Sequence, residues 1–137
     1  MPHKRTDPHS LRVVLVDDLD YFREALEARL SKVLGIRVVA VGRDGLEALQ
    51  LVRLFQPDVL IIDHAMPQMT GLTAIRLIRN NFPQTRIILL TMDELAAAEA
   101  VQAGASHGLI KDCSFQEILD AVLDPKGTHA KEALEVA

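Results

Sequence analysis

Five residues carry the chemistry of this sequence, each directly after a short apolar run. Asp17 and Asp18 follow Leu11–Val16, Asp63 ends residues 58–63, Thr91 follows residues 86–90, and Lys111 follows residues 107–110. Three carboxylates at close range repel one another and need a cation. Hard oxygen ligands that leave room for a few waters suit Mg²⁺. A carboxylate beside Mg²⁺ can attack phosphorus and form an aspartyl phosphate. A lysine and the metal would neutralise charge on the phosphoryl oxygens in the transition state, and the Thr91 hydroxyl could donate to one of them. Each residue also has a plain structural reading. Asp17-Asp18 could cap a helix. Asp63 could open a turn ahead of His64-Ala65-Met66-Pro67. Thr91 could cap the next helix, and Lys111 could be a solvated charge. Singly, the plain reading is the better one; five such residues on one edge of one sheet outweigh it.

That edge follows from the pattern around them. Runs at residues 11–16, 36–41, 58–63, 86–90 and 107–110 alternate with helical stretches. The first helical stretch puts Phe22, Ala25, Leu26, Leu30 and Val33 on one stripe and closes at Gly35. The second covers residues 44–55 with Leu46, Leu49 and Val52 inward, and Pro57 lies just beyond it. The third covers residues 70–80 and shows Leu72, Ile75 and Ile78. An Ala-rich fourth covers residues 93–103 and ends at Gly104. The last starts at Ser114 and carries Phe115, Ile118, Leu119 and Val122. Strands alternating with helices give an α/β fold with a parallel sheet. Runs apolar on both faces suit strands covered on both sides. In such a sheet, ligands bind at the carboxyl ends of the strands, where all five residues stand.

Composition sets the outer limits. At 137 residues and 49% hydrophobic, the chain is one domain's worth of sequence and can bury a core without a staple. Its one cysteine, Cys113, excludes a disulfide framework and a cysteine-based zinc site. A net charge of −4 argues against a bulk electrostatic grip on nucleic acid or an anionic membrane. The apolar runs are strand-sized, too short to span a bilayer. No signal peptide is legible, so the expectation is a cytoplasmic protein. Residues 1–10 read as a disordered polar arm, 11–123 as the domain, and 124–137 as a tail or the start of a linker. His3, His9 and His129 form no ligand cluster.

Val-Leu-Val-Asp-Asp at 14–18, Gly45-Leu46-Glu47-Ala48-Leu49, the run from Pro57 to Asp63, Met66-Pro67 with Gly71, Leu89-Leu90-Thr91, Ala103-Gly104-Ala105 and Ile110-Lys111 stand in order. On these stretches the sequence resembles the receiver domain of bacterial two-component response regulators, from about Leu11 to Leu123. The flavour is that of receivers preceding helix-turn-helix output domains. The resemblance implies a flavodoxin-like (βα)5 fold with strand order 2-1-3-4-5. It implies that Asp63 accepts a phosphoryl group from a histidine kinase or phosphotransfer protein. Asp18 would bind Mg²⁺ directly, Asp17 directly or through water, and Asp63 and the Ala65 carbonyl would complete the protein ligands. Thr91 would be the switch hydroxyl, Lys111 would contact the phosphoryl group, and Gly71 would open the third helix. A downstream protein target is implied without being named, and dimerisation stays open.

Some positions depart from that pattern. Gly108 stands where the family usually carries an aromatic residue, three before the lysine, and His107 precedes it as a polar edge residue. With a glycine there and an Ala-rich fourth helix, the face formed by the fourth helix, fifth strand and fifth helix is expected to have low local stability. Asp112 replaces the frequent proline after Lys111, so a trans bond is expected. His64 is expected to point to solvent, Glu94 and Glu99 to form a solvated face, and Cys113 to be a plain loop residue rather than an acidified thiol. An aspartyl phosphohydrolase of the haloacid-dehalogenase type is a competing reading, but it usually needs an acid two residues after the nucleophile, where Ala65 stands. A nucleotide-binding protein lacks its glycine-rich loop. The chain reads as too short past its last helix for its own helix-turn-helix. It is therefore expected to be no enzyme beyond autophosphatase activity and to bind no nucleic acid directly. A receiver fragment of a longer DNA-binding regulator, and a partner-binding module that no longer switches on phosphate, remain as alternatives.

Overall fold

Strands and helices alternate strictly: β1 Leu11–Val16, α1 Asp20–Ser31, β2 Ile36–Gly42, α2 Gly45–Phe55, β3 Val59–Ile62, α3 Gly71–Asn81, β4 Arg86–Thr91, α4 Glu94–Ala103, β5 His107–Ile110 and α5 Phe115–Leu123. The structure, a computed structural model, describes residues 10–124. The expected arm, the tail beyond residue 124, and His3, His9 and His129 lie outside the described residues. All pairings are parallel, and the strand order is β2-β1-β3-β4-β5, a flavodoxin-like sheet as expected.

The period-2 alternation of a strand sorts the core into two layers. Val14, Val16, Leu60, Ile62, Ile87 and Leu89 face α2, α3 and α4. Val13, Leu15, Val59, Ile61, Ile88 and Leu90 face α1 and α5. Every residue of β3 is buried, which places the strand that ends in Asp63 at the centre of the sheet. Helix starts are fixed by side-chain acceptors: Asp44 for α2, Thr70 for α3, Asp93 for α4, and a Ser114–Glu117 capping box for α5.

Four expectations need correction. First, α1 stops at Ser31, short of Gly35. The Lys32 and Val33 amides donate back to Arg29 and Leu30, which tightens the last turn and leaves Val33 packed on the core from outside the helix. Gly35 instead turns the chain into β2 at φ +91°. Second, Leu46 is 44% exposed, because Ala48 and Val52, one helical turn apart, form the buried stripe of α2. Third, His107 lies on the edge strand β5 but is buried, only 7% exposed. Its Nε2 lies 3.1 Å from the Asp124 carboxylate and its Nδ1 lies 3.2 Å from the Ser106 hydroxyl. Arg86 anchors the same end of α5 by donating to the carbonyls of Val122, Ala121 and Asp124. Fourth, the His64 ring does not run out to solvent. Its Nδ1 accepts the Leu72 amide at 3.3 Å, at the start of α3.

Other expectations agree with the structure. The Lys111–Asp112 bond is trans. Glu94 and Glu99 are exposed. Cys113 has no acidified thiol, since burial, with the charges of Glu117 and Asp112, pushes it up from the ordinary value.

Gly108 explains how an Ala-rich α4 is seated. A Cβ at that position would stand 2.1 Å from the Ala97 carbonyl oxygen and 2.9 Å from the Ala100 methyl. The helix backbone therefore lies directly on β5, in the space a side chain at position 108 would need. The small residues on both elements are one matched contact. The expected looseness is not visible as a gap there.

Candidate functional site at the carboxyl edge of the sheet

The site residues are held by main-chain bonds that carry the strand ladder past its ends. The Asp17 amide donates to the Gly42 carbonyl (3.1 Å), the Asp63 amide to Val16 (3.1 Å) and the Lys111 amide to Thr91 (2.9 Å). Asp17, Asp63, Thr91 and Lys111 thereby leave four adjacent strands on the same edge. Each of Asp17, Asp18 and Asp63 has a carboxylate oxygen within 4.8 Å of the others'. An open cleft of about 470 Å³ is lined by Asp18, Asp63, Ala65, Thr91, Asp93 and Lys111, among others.

Lys111 closes the group. Its Nζ lies 2.8 Å from Asp17 Oδ2 and 3.1 Å from Asp63 Oδ2, and its side chain is 5% exposed. Burial works against that charge, but the bonds to the two carboxylates outweigh it and hold the ammonium above the ordinary lysine value. Asp17 is 2% exposed, and this burial lifts its carboxyl above the usual range. The bonds from Lys111 and the Leu19 amide pull the other way, while the facing charge of Asp63 adds to the rise. The second oxygen of Asp17 accepts the Leu19 amide (2.9 Å), and that of Asp63 accepts the His64 amide (2.7 Å).

The plain readings can now be judged. The N-cap of α1 is Leu19, with no side-chain cap bond, so neither acid of the pair caps that helix. Asp93, not Thr91, caps α4, by accepting the Ala96 amide at 3.0 Å. Thr91 Oγ1 instead accepts the Asp93 amide at 3.2 Å. Lys111 is buried rather than solvated. Gly71 is required by a close approach. A Cβ there would stand 2.2 Å from the Asp63 carbonyl oxygen, and the Gly71 amide donates to the His64 carbonyl at 2.8 Å.

One residue was missed by the sequence reading. Arg23 is 5% exposed, and its Nη1 donates to the Asp17 carbonyl at 2.7 Å while Nη2 pairs with Asp20 at 2.8 Å. It ties the loop bearing the acid pair to α1. The signal was present: Arg23 precedes Leu26 and Leu30 by three and seven residues, so it sits on the buried stripe. A charge on a core-facing stripe needs a partner.

The fold and this acid-lined edge define a class, that of flavodoxin-like domains with the functional site on the carboxyl edge. The family described as "Response regulator receiver domain" matches residues 13–123. The chain is 39% identical over 119 residues to the "Probable transcriptional regulatory protein NarL" of Mycobacterium tuberculosis, covering 85% of this chain and 55% of that protein. It is 40% identical over 107 residues to a protein-glutamate methylesterase/protein-glutamine glutaminase of Nitratidesulfovibrio vulgaris, covering 76% of this chain and 29% of that one. Among solved structures, the signal receiver domain of the putative response regulator NarL from M. tuberculosis superposes with TM-score 0.79 at 36% identity, covering 85% and 96% of the two chains. The chain belongs to the response regulator receiver domain family of two-component signal transduction. It spans about half the length of the transcriptional regulators it matches.

Proposed function

We propose that this domain, over residues 11–123, is a phosphorylatable switch whose acceptor is Asp63. The observation that carries the reading is the shared ammonium: Lys111 bonds one oxygen of Asp17 and one of Asp63 while Asp18 stands within reach of both acids. A hard, all-oxygen donor set of this kind fits Mg²⁺. Asp17, Asp18, Asp63 and the Ala65 carbonyl would hold the ion, which would neutralise negative charge on the phosphoryl oxygens. A carboxylate oxygen of Asp63 attacks phosphorus and the P–N bond of a donor phosphohistidine breaks. The leaving nitrogen takes the electron pair and then a proton. Lys111 moves with the incoming charge from the carboxylate to a phosphoryl oxygen, and the Thr91 hydroxyl donates to another. The donor is a histidine kinase or phosphotransfer protein, and the setting is the cytoplasm. Among the described residues no helix is long and apolar enough to cross a membrane. Residues 1–10 and 124–137 are an arm and a tail or linker in this reading.

Incubation with a small phosphodonor and Mg²⁺, followed by intact-mass analysis, tests the reading. One acid-labile phosphoryl group is expected, absent without a divalent ion and absent in Asp63→Asn. Equal labelling of that variant would refute it.

A second reading of the output follows from the relatives' length and names. Several are transcriptional regulators of about twice this length, and one neighbouring structure is "RcsB from Salmonella enterica serovar Typhimurium bound to promoter rprA", with TM-score 0.74 at 25% identity. The downstream target would then be a DNA-binding unit, and nucleic acid would be touched by that unit rather than by the domain itself. The reading frame around this sequence tests it directly.

A further inference from the structure

Lys111 lines two hollows at once. One is the acid cleft, and the other is a groove of about 190 Å³ between α1 and α5 that includes Phe22, Arg29, Cys113 and Phe115. The groove's own charged lining besides Lys111 is the cation Arg29, so it offers the ammonium no counter-ion. A lysine is a point charge on a flexible four-carbon stem, and nothing in the stem selects one hollow over the other. Phe22 lines the groove and not the cleft. Its ring centroid is 4.5 Å from Lys111 Nζ, inside the roughly 6 Å reach at which a ring face attracts a cation. The ammonium is thus enclosed by Asp17 Oδ2, Asp63 Oδ2 and the face of Phe22. The two carboxylates are also the groups whose partners change when a metal and a phosphoryl group arrive. The ring is the contact that belongs to neither carboxylate.

We propose that Phe22 is a positioning residue of the phosphorylation site, its ring face holding the Lys111 ammonium at the point where it meets Asp17 and Asp63. The proposal rests on Asp63 being the phosphoacceptor. Phe22 touches no reacting atom and acts only through Lys111. Its place in the sequence follows from α1: Phe22 and Arg23 are consecutive in the first turn, one contacting the lysine and the other the Asp17 carbonyl.

The experiment has two arms on the whole chain. In the first, NMR of the metal-free protein reads the ε-methylene protons of Lys111. Ring current should move them upfield in the wild type, and Phe22→Leu should return them to the ordinary lysine position. In the second, labelling by a small phosphodonor is timed at saturating Mg²⁺. Phe22→Leu should be about tenfold slower, given the strength of a desolvated ring–cation contact. Phe22→Trp, which keeps a ring face, should recover most of the rate. On a Lys111→Met background, Phe22→Leu should change nothing further, because the effect passes through the ammonium. Should Phe22→Leu fail to fold, Phe22→Met takes its place in both arms. An unshifted Lys111 signal in the wild type overturns the proposal. So does a wild-type labelling rate in Phe22→Leu, or equal slowing on both backgrounds, which would mean a purely structural role. A wild type that takes no label refutes the phosphorylation reading instead, and the NMR arm then judges the Phe22–Lys111 contact alone.

Discussion

On the α1 side of the cleft, the approach is made by directional bonds. Arg23 reaches the Asp17 carbonyl, Lys111 reaches two carboxylates, and Phe22 covers the lysine. On the α4 side it is made by shape. Ala96, Ala100 and Ala103 are the buried residues of α4, and its backbone rests on Gly108. The α4 side meets the site through the amide-to-hydroxyl bond from Asp93 to Thr91. Directional bonds fix position to a few tenths of an ångström and fail when geometry changes. A smooth contact between small residues tolerates sliding but not added bulk. The acid loop is therefore tied in place by bonds, while α4 is seated on β5 by the fit of small residues. This suits a switch in which no aromatic ring at position 108 can turn inward. A helix displaced along β5 can transmit a signal only if the phosphorylated site favours one of its positions over the other.

The largest expected effect breaks the shape-held side. Gly108→Val places a branched side chain where the Ala97 carbonyl already stands, so α4 must lift. Overpacking of this kind costs about 3 kcal/mol, and denaturant unfolding should show it. A loss below about 0.5 kcal/mol would mean that α4 is loosely seated after all, as the composition alone suggested.

Next comes the bonded side. Arg23→Met keeps the stem's volume but removes both donors. The Asp20 partner is well exposed, so that ion pair adds little. The buried bond to the Asp17 carbonyl dominates, and the expected loss is about 1–2 kcal/mol. Mg²⁺ affinity should fall as well, since the acid pair loses its tether. Unchanged affinity would show that the ladder bonds beyond β1 suffice to hold the acids.

The sequence displayed one side of this comparison better than the other. Acids, hydroxyl and lysine were legible because each stands directly after a β-branched run, and parallel strands carry such positions to a common edge. Arg23 was not, because a helix stripe is read by its apolar members and a buried guanidinium looks like a surface charge until its partner is seen. Leu46 was misplaced by the same habit, since burial at the start of α2 follows Ala48 and not the larger side chain. Gly108 was seen, but not what fills the space beside it. A missing side chain reads as lost packing, and only the position of α4 shows that a helix backbone fills the space. His107 and His64 depend on partners 17 and 8 residues away, which no local pattern carries.

A smaller effect tests the hinge between the two sides. Asp93→Ala removes the acceptor that caps α4, worth about 1 kcal/mol. Its amide still donates to Thr91, so the link to the site survives while the helix start frays. Hydrogen exchange should rise in the first turn of α4 and stay unchanged in α1. A rise on both sides would mean that the two flanks are one cooperative unit.

The smallest effect on stability, and the sharpest on lifetime, is expected at Ala65. The residue is exposed and lines the cleft together with Asp63 and Asp93. A methyl cannot hydrogen-bond a water, so in the wild type Ala65 orients none for attack on phosphorus, and the Asp93 carboxylate, which caps α4 through Oδ1, is left to repel or position that water through its other oxygen. Ala65→Asn adds an amide at the rim without touching the core, so unfolding should shift by no more than about 0.5 kcal/mol. Phosphate loss from the labelled protein should nevertheless quicken severalfold, the scale on which one well-placed hydrogen bond to a reacting water acts. Because Ala65 belongs to neither braced flank, the change should leave both the Lys111 signal and the protection of α4 as they were. An unchanged rate of phosphate loss would place control of lifetime on the flanks, in the hold on Lys111 or the position of α4, rather than at the rim.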